Sequence, residues 1–469
     1  MSPVRRAATP AVPGPGTSIV PGAVTRVLAL DIGSSSIRAQ VFDEHGDGAD
    51  EAVKLEYGGT DPDEIVELVR TAIDGRHEGV DAVGTSCFGH SLVVLDDGGR
   101  PVTPVLGWRD TRSATAADWL KRRLDEAEVH ARTGAYLHTS FWPAKLAWLA
   151  ETEPEIFRGA SRFVSAADYI HAQLRGGEPT CSSSLASGTG LLDLTKRVWD
   201  EELLDVLQVE PERLSRISDE PVDGWFPAWI DGACSNVGAG CTSRERAALS
   251  VGTSGALRIV YETEQPQPKP GLFLYLLDDG RVVEGGSLSD GGNLYGWIRD
   301  TLKNTEGSLA DRDPDSHGLT FLTLLGGERS TGWNPFAKGA IAGLTFDTTP
   351  LDIRQAALEG VAFRFAEVAD LLRGLEDVIA TGGGLLANPE WIQIMADALA
   401  RPVTASKVAE ASLRGAAALA LERLGETVTD APLGAVFHPR EERAEAYRSA
   451  RDRQRELYEA TRRWHQESP

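Results

Sequence analysis

The sequence predicts an α/β protein built from two related lobes, and three observations carry that prediction. The chain has 469 residues, more than one hydrophobic core usually organises. An apolar strand, a turn of glycine and hydroxyl residues, and a returning strand occur at Gly33 and again at Gly252; an offset of 219 residues suits a duplicated domain rather than a short-period solenoid. Around both copies, helix-like and strand-like stretches alternate in the way that sets helices against sheets. Hydrophobic residues at 41% and charged ones at 25% are ordinary for a folded chain of this kind.

Residues 1–25 include Arg5 and Arg6, are interrupted by proline and lack the apolar stretch of a signal peptide, so they read as a disordered leader. From Arg26, VLALDIGSSSIRAQVF gives a β-hairpin whose turn is small and rich in hydroxyls. Helical composition follows at Asp63 to Ile73 and Arg112 to Leu124, with strand-like runs at Val80 to Thr85 and Ser91 to Leu95. The second hairpin is LSVGTSGALRIVYE from Leu249, so the lobes are placed at 26–243 and 244–469. Beyond it, Pro350 opens a helix from Leu351 to Leu372 with Ile353, Ala357, Val361, Phe365, Val368 and Leu372 along one stripe. The strand Val378 to Ala380 then runs into Thr381-Gly382-Gly383-Gly384, ahead of a helix from Trp391 to Ala400; a glycine-rich strand end before a helix is a place for a nucleotide phosphate.

Composition narrows the function classes. A net charge of −23, from 47 basic and 70 acidic residues, argues against a surface built for nucleic acid. No window approaches the roughly 20 apolar residues that span a bilayer. Cys87, Cys181, Cys234 and Cys241 form no C-x-x-C pair and have no histidines at metal-ligand spacing, which suits small buried side chains in a reducing cytoplasm.

The chemistry is concentrated in the two turns. Gly33, Ser34, Ser35 and Ser36 offer backbone N–H groups and hydroxyls to phosphate oxygens, and Asp31 could hold a hydrated divalent cation. Gly252, Thr253, Ser254 and Gly255 repeat the device, so that two hydroxyl-rich hairpins from two lobes would grip one polyphosphate from opposite sides.

The motifs DIGSSS, GTSCFGHS, PVTPVLGWRDTR, SLASGTGLLD, IDGACSNVGAG, SVGTSGALR, ATGGG and EASLRGAAALA occur in the order seen in the FGGY carbohydrate kinases, and the resemblance covers about 26–425. It implies two ribonuclease-H-like domains of the actin and sugar-kinase superfamily with a cleft between them, an N-terminal one for sugar and a C-terminal one for nucleotide, with ATP and Mg²⁺ as cofactors. In similar kinases the catalytic base lies in an Asp-Gly pair before the second phosphate turn, the place of Asp231-Gly232. There a carboxylate accepts the hydroxyl proton as the alcohol attacks the γ-phosphorus. Read from the residues alone, the same pair could simply begin an Asp-Gly turn.

By the same resemblance His90 and Ser91 contact substrate hydroxyls, and Trp108, Asp110 and Arg112 border the sugar, although Asp110 with Arg112 also reads as a surface pair. Gly382, Gly383 and Gly384, with Asn388, match the adenosine-binding turn, and Asp31 through water, with Asp231, would hold Mg²⁺. Gly415, Ala416 and Ala417 permit close approach of a flat base or of another helix. Ser182 stands where many members carry an aspartate, which removes that contact from the inferred set.

The element ending in His90-Ser91 resembles gluconate kinases, whereas xylulose kinases tend to have His-Gly there. D-gluconate to 6-phosphogluconate is therefore the expected reaction, with D-xylulose or another ketopentose or polyol as the alternative acceptor. Arg109, Arg112 and Lys145 are the nearby cations that could meet a carboxylate. An actin-fold ATPase or a sugar sensor without phosphoryl transfer is the reading from another class. The expected partners are a small sugar or sugar acid and ATP, without nucleic acid or membrane, with a homodimer as the assembly to consider.

Overall fold

The computed structural model describes residues 25–465 apart from 304 and 311, so all but the last residue of the leader at 1–25 lies outside the described residues. The first lobe is organised on a five-stranded sheet in the order Trp229–Ile230, Ala82–Cys87, Val27–Ile32, Ser36–Phe42, Val53–Glu56. All six residues of Val27–Ile32 are buried, as expected of a central strand covered on both faces. It runs parallel to Ala82–Cys87 and antiparallel to Ser36–Phe42, a register that sets Asp31 opposite Arg38.

The second lobe has a seven-stranded sheet in the order Phe273–Leu276, Arg281–Leu288, Gly255–Glu262, Arg246–Val251, Asp377–Thr381, Val403–Ser406, Leu433–Phe437. Its middle repeats the first lobe strand for strand: a central strand parallel to one neighbour and antiparallel to the returning hairpin arm. This is the duplicated two-lobe α/β fold that the paired hairpins predict. The copies differ by one residue at the turn, because Ile32 pairs with Ile37 across four residues whereas Val251 pairs with Gly255 across three.

The predicted helices are present with small shifts of their ends. Pro62–Ile73 is capped by the Asp61 side chain, and Pro350–Leu371 begins with a capping box of Thr349 and Asp352. Trp391 of the helix Pro389–Leu399 donates its indole N–H to Leu358 O at 3.1 Å, locking that helix against Pro350–Leu371. Among the described residues no helix is long and apolar enough to cross a membrane.

One pair of helices joins the lobes. Asp231–Gly238 follows the edge strand of the first sheet, and Ala411–Leu424 follows the equivalent strand of the second. They cross where glycines remove the side chains: a Cβ on Gly415 would lie 1.8 Å from Cys234 O, and one on Gly238 1.8 Å from Ala411 O. Ala411–Leu424 also rests on the first sheet, where a Cβ on Gly84 would come within 2.4 Å of Ala416 O. Of the two alternatives for Gly415, Ala416 and Ala417, the structure shows the approach of another helix.

Candidate active site

Loops after strands of both sheets line one cleft, as the carboxyl ends of strands do in open α/β sheets. Gly89 and His90 follow Ala82–Cys87, Asp231 and Gly232 follow Trp229–Ile230, and Ser254 and Arg258 come from the second hairpin. Trp108, Phe273, Tyr275, Ser287 and Arg329 complete the wall.

Asp231 is the first residue of its helix, and the amide of Gly232 donates to its Oδ1 at 2.8 Å. Burial pushes its carboxyl above the usual range, while Arg258 and, more weakly, Arg329 pull it back. Raising a carboxyl in this way strengthens it as a base and suits it to taking a proton. In the same lobe, two strands along the sheet, Asp31 accepts from Ser86 Oγ at 2.8 Å and from Arg38 Nη1 at 3.0 Å. Its carboxyl is pushed up to about 6, by burial above all and by Asp231 among the smaller causes.

Of the residues expected to meet the nucleotide, the second hairpin turn and the turn at 382–384 lie together. Ser34 and Ser35 at the first turn and Gly252 and Thr253 at the second are exposed, and the Gly33 and Gly252 amides close their turns onto Ser36 O and Ser254 O. Gly382 has φ +83° and lies so close to the second hairpin that a Cβ would stand 2.7 Å from Val251 O; Gly384 is nearly as tight at 3.0 Å. Only glycine lets the turn at 382–384 sit against the turn at 252–254. Asn388 uses its side chain to cap the helix Pro389–Leu399, accepting from Trp391 N at 3.2 Å.

The residues expected to meet the sugar are sorted differently from that expectation. His90, at φ +63°, donates from Nδ1 to Gly188 O, and burial drives its pKa well below the ordinary value. The ring is therefore neutral, with Nε2 free to accept a hydrogen bond. Ser91 is buried, its Oγ accepting from Ala166 N at 3.1 Å and its carbonyl from the Trp142 indole at 2.9 Å, and it does not line the cleft. Asp110 and Arg112 form a bidentate pair with each other, the Arg112 guanidinium also lying over Trp148, and neither lines the cleft. Trp108 does line it, with Arg109 at 4.9 Å and Arg329 at 5.2 Å from its ring centroid. Ser182 caps the helix Ser183–Gly188 through Leu185 N at 3.0 Å.

Of the three cations considered for a carboxylate, none is among the cleft-lining residues. Lys145 is buried with Nζ donating to His90 O and Ser140 O, and burial brings it down to about 7; it braces the His90 turn from behind. The cations that do line the cleft, Arg258 and Arg329, are absent from the sequence expectation. Arg258 left a signal, one charge inside the apolar run GALRIVY of a central strand; Arg329, in a loop, left none that spacing reveals. A separate set of metal-capable side chains, Asp315, His317 and Glu359, is already engaged by Arg453, Gln355 and Tyr447.

Residues 26–220 match the model of the N-terminal domain of the FGGY family of carbohydrate kinases, and 247–422 match that of its C-terminal domain. Among curated relatives, a gluconokinase of Bacillus subtilis is 29% identical, with 90% of this chain and 93% of that protein covered. Two solved structures from Lactobacillus acidophilus, a gluconate kinase (TM-score 0.83) and a ligand-bound xylulose kinase (TM-score 0.84), are each 26% identical. Each comparison covers 93% of this chain and 98% of the other.

Proposed function

The chain belongs to the FGGY family of carbohydrate kinases, ATP-dependent enzymes that phosphorylate an alcohol group, and from that premise we propose that its acceptor is a sugar acid, D-gluconate, phosphorylated on its terminal hydroxyl. The observation that carries the choice of an acid is the presence of two guanidinium groups, Arg258 and Arg329, in the cleft wall with no ion pair to any described side chain. A neutral ketopentose offers such groups no counter-charge, whereas a carboxylate and a transferring phosphoryl group do. The gluconokinase relatives support the same acceptor.

In this reading Asp231 takes the proton of the attacking hydroxyl, and the Gly232 amide holds its carboxylate in place. Neutral His90 accepts a hydroxyl hydrogen bond, and the exposed turn residues Ser34, Ser35, Gly252 and Thr253 offer donors to the phosphates of ATP. Mg²⁺ fits the donor set: Asp31 is a buried carboxylate, pushed up to about 6 by burial above all, and the partly buried Asp231 is near enough for its charge to act on it. The ion would supply charge neutralisation of the phosphates when bound. The lobes 26–243 and 244–469, the helix pair between them as hinge, and a cytoplasmic location belong to the same proposal.

The test is ADP release on a panel of D-gluconate, D-xylulose, L-ribulose, glycerol and related polyols with Mg²⁺ and ATP. Gluconate is expected to give the highest kcat/KM; a neutral sugar ahead of it by tenfold overturns the sugar-acid assignment while leaving the kinase intact.

A further inference from the structure

We propose that Arg329 is the specificity-determining residue that receives the acceptor's carboxylate, while Arg258 serves the reacting end of the same cleft. The proposal rests on the sugar-acid reading above and assigns its two cations different tasks.

Arg329 is 8% exposed, and its Nε is buried without a hydrogen-bond partner. Burial lowers its pKa to about 10, a cost that an uncompensated guanidinium bears until an anion arrives. The carboxylate whose charge acts on it, Asp231, makes no ion pair with it, and the others are committed elsewhere. Glu328, the preceding residue, is held by Arg364 and by Tyr458 Oη at 2.6 Å, and Asp110 is taken up by Arg112. What surrounds Arg329 instead is the acceptor side of the cleft: Trp108 at 5.2 Å, with His90, His138 and Lys145 all feeling its charge. An anion reaching this group would meet a planar fork suited to two carboxylate oxygens.

Arg258 stands differently. It packs against the start of the catalytic helix, where a Cβ on Gly232 would lie 3.0 Å from its Nε, and Asp231 is the strongest charge acting on it. A cation there favours the ionised base and lies where negative charge spreads during phosphoryl transfer. Both arginines act on Asp231 and on His90, and direct contact tells them apart: Arg329 lies by Trp108, the end assigned to the carboxylate, and Arg258 by Gly232, the end assigned to the reacting hydroxyl.

The experiment compares wild type, Arg329→Gln, Arg329→Lys and Arg258→Gln with D-gluconate and with D-glucitol, which carries a neutral hydroxymethyl group in place of the carboxylate. Arg329→Gln is expected to raise KM for gluconate roughly 10- to 100-fold, with kcat within a few-fold and the preference over D-glucitol collapsed. Arg329→Lys should recover part of that affinity, and Arg258→Gln should lower kcat on both acceptors. A melting temperature no lower than wild type and unchanged binding of a nonhydrolysable ATP analogue in Arg329→Gln separate lost recognition from lost folding. Equal losses on gluconate and D-glucitol, or gluconate turnover with KM unchanged, overturn the assignment of Arg329 alone. A wild-type enzyme that phosphorylates neutral acceptors and ignores gluconate overturns the sugar-acid reading together with it.

Discussion

The two hairpin turns share a sequence pattern and are held in place by different physics. At Gly33–Ser36 the neighbourhood is ionic: Asp31 meets Arg38 across the strands at 3.0 Å, Arg38 continues to Glu410 at 2.8 Å, and Ser86 bonds the other carboxylate oxygen. At Gly252–Ser254 the turn itself is held by steric contact, with the backbone of Gly382 and Gly384 resting on Val251. Duplication therefore preserved the path of the chain and let the chemistry diverge. The first hairpin carries a buried, ion-paired carboxylate at Asp31, and the second is packed against a glycine turn.

The comparison breaks most severely at the residue that links the two halves in the chain. Asp231→Asn keeps the size of the side chain and removes its basicity, so kcat is expected to fall by about 10²- to 10⁴-fold while ATP-analogue binding persists. Because burial raises the Asp231 pKa, kcat/KM of the wild type should decline on the acid side at a higher pH than an ordinary carboxylate would give. Full activity in the purified variant would show that the turns and their cations suffice and that Asp231 is not the base.

The ionic turn is tested next by Asp31→Asn. A carboxyl ordinarily near 3.8 and held at about 6 in the folded chain corresponds to roughly 3 kcal/mol against the ionised form at neutral pH. The folded state holds this proton more tightly than the unfolded one. Its stabilising contribution is therefore fully present below pH 3.8 and is lost as the pH rises through about 6. Asp31→Asn should accordingly stabilise the ligand-free protein at pH 8 by ~1–3 kcal/mol, with little gain at pH 4, and should weaken Mg²⁺-dependent turnover. Chemical denaturation at both pH values reads the first effect. A lower stability at pH 8 would mean that the Arg38 pair outweighs the burial.

How much of this was legible in the sequence follows from how local each signal is. Gly33, Gly252, Gly382 and Asp231 are fixed by turns and helix starts a few residues long, and their types betray them. The two-lobe fold was legible because the hairpin recurs. Ser91 was not, because its hydroxyl is spent on an amide 75 residues away, and Asp110 is spent on Arg112 two residues along. Arg329 enters the cleft from a loop of the other lobe, beside Trp108 and across from His90, a pairing that no spacing within either segment encodes. Gly415 lay between two readings until the crossing with Cys234 decided it.

The steric turn predicts a pair of opposite outcomes. At Gly382 the backbone has φ +83°, and an added Cβ would press on Val251 O at 2.7 Å, a carbonyl of a central strand that cannot yield cheaply. Gly382→Ala should cost about 1–3 kcal/mol of stability and displace the turn against which the second hairpin rests. ATP affinity should fall with it.

Gly252→Ala gives the smallest effect and the sharpest reading of it. No heavy atom lies within 4 Å of a Cβ at that position, and its φ is not in the left-handed region. The ligand-free stability should therefore change by no more than about 0.5 kcal/mol. If the turn serves merely to reverse the chain, the methyl group is silent in every assay. If it approaches a phosphate, the methyl occupies space that the nucleotide needs. The KM for ATP should then rise about 3- to 10-fold, and the melting-temperature gain on adding a nonhydrolysable analogue should shrink, while KM for the acceptor is unchanged. A variant matching wild type with and without nucleotide would leave the second hairpin as scaffolding and place the phosphate grip on the ionic turn alone.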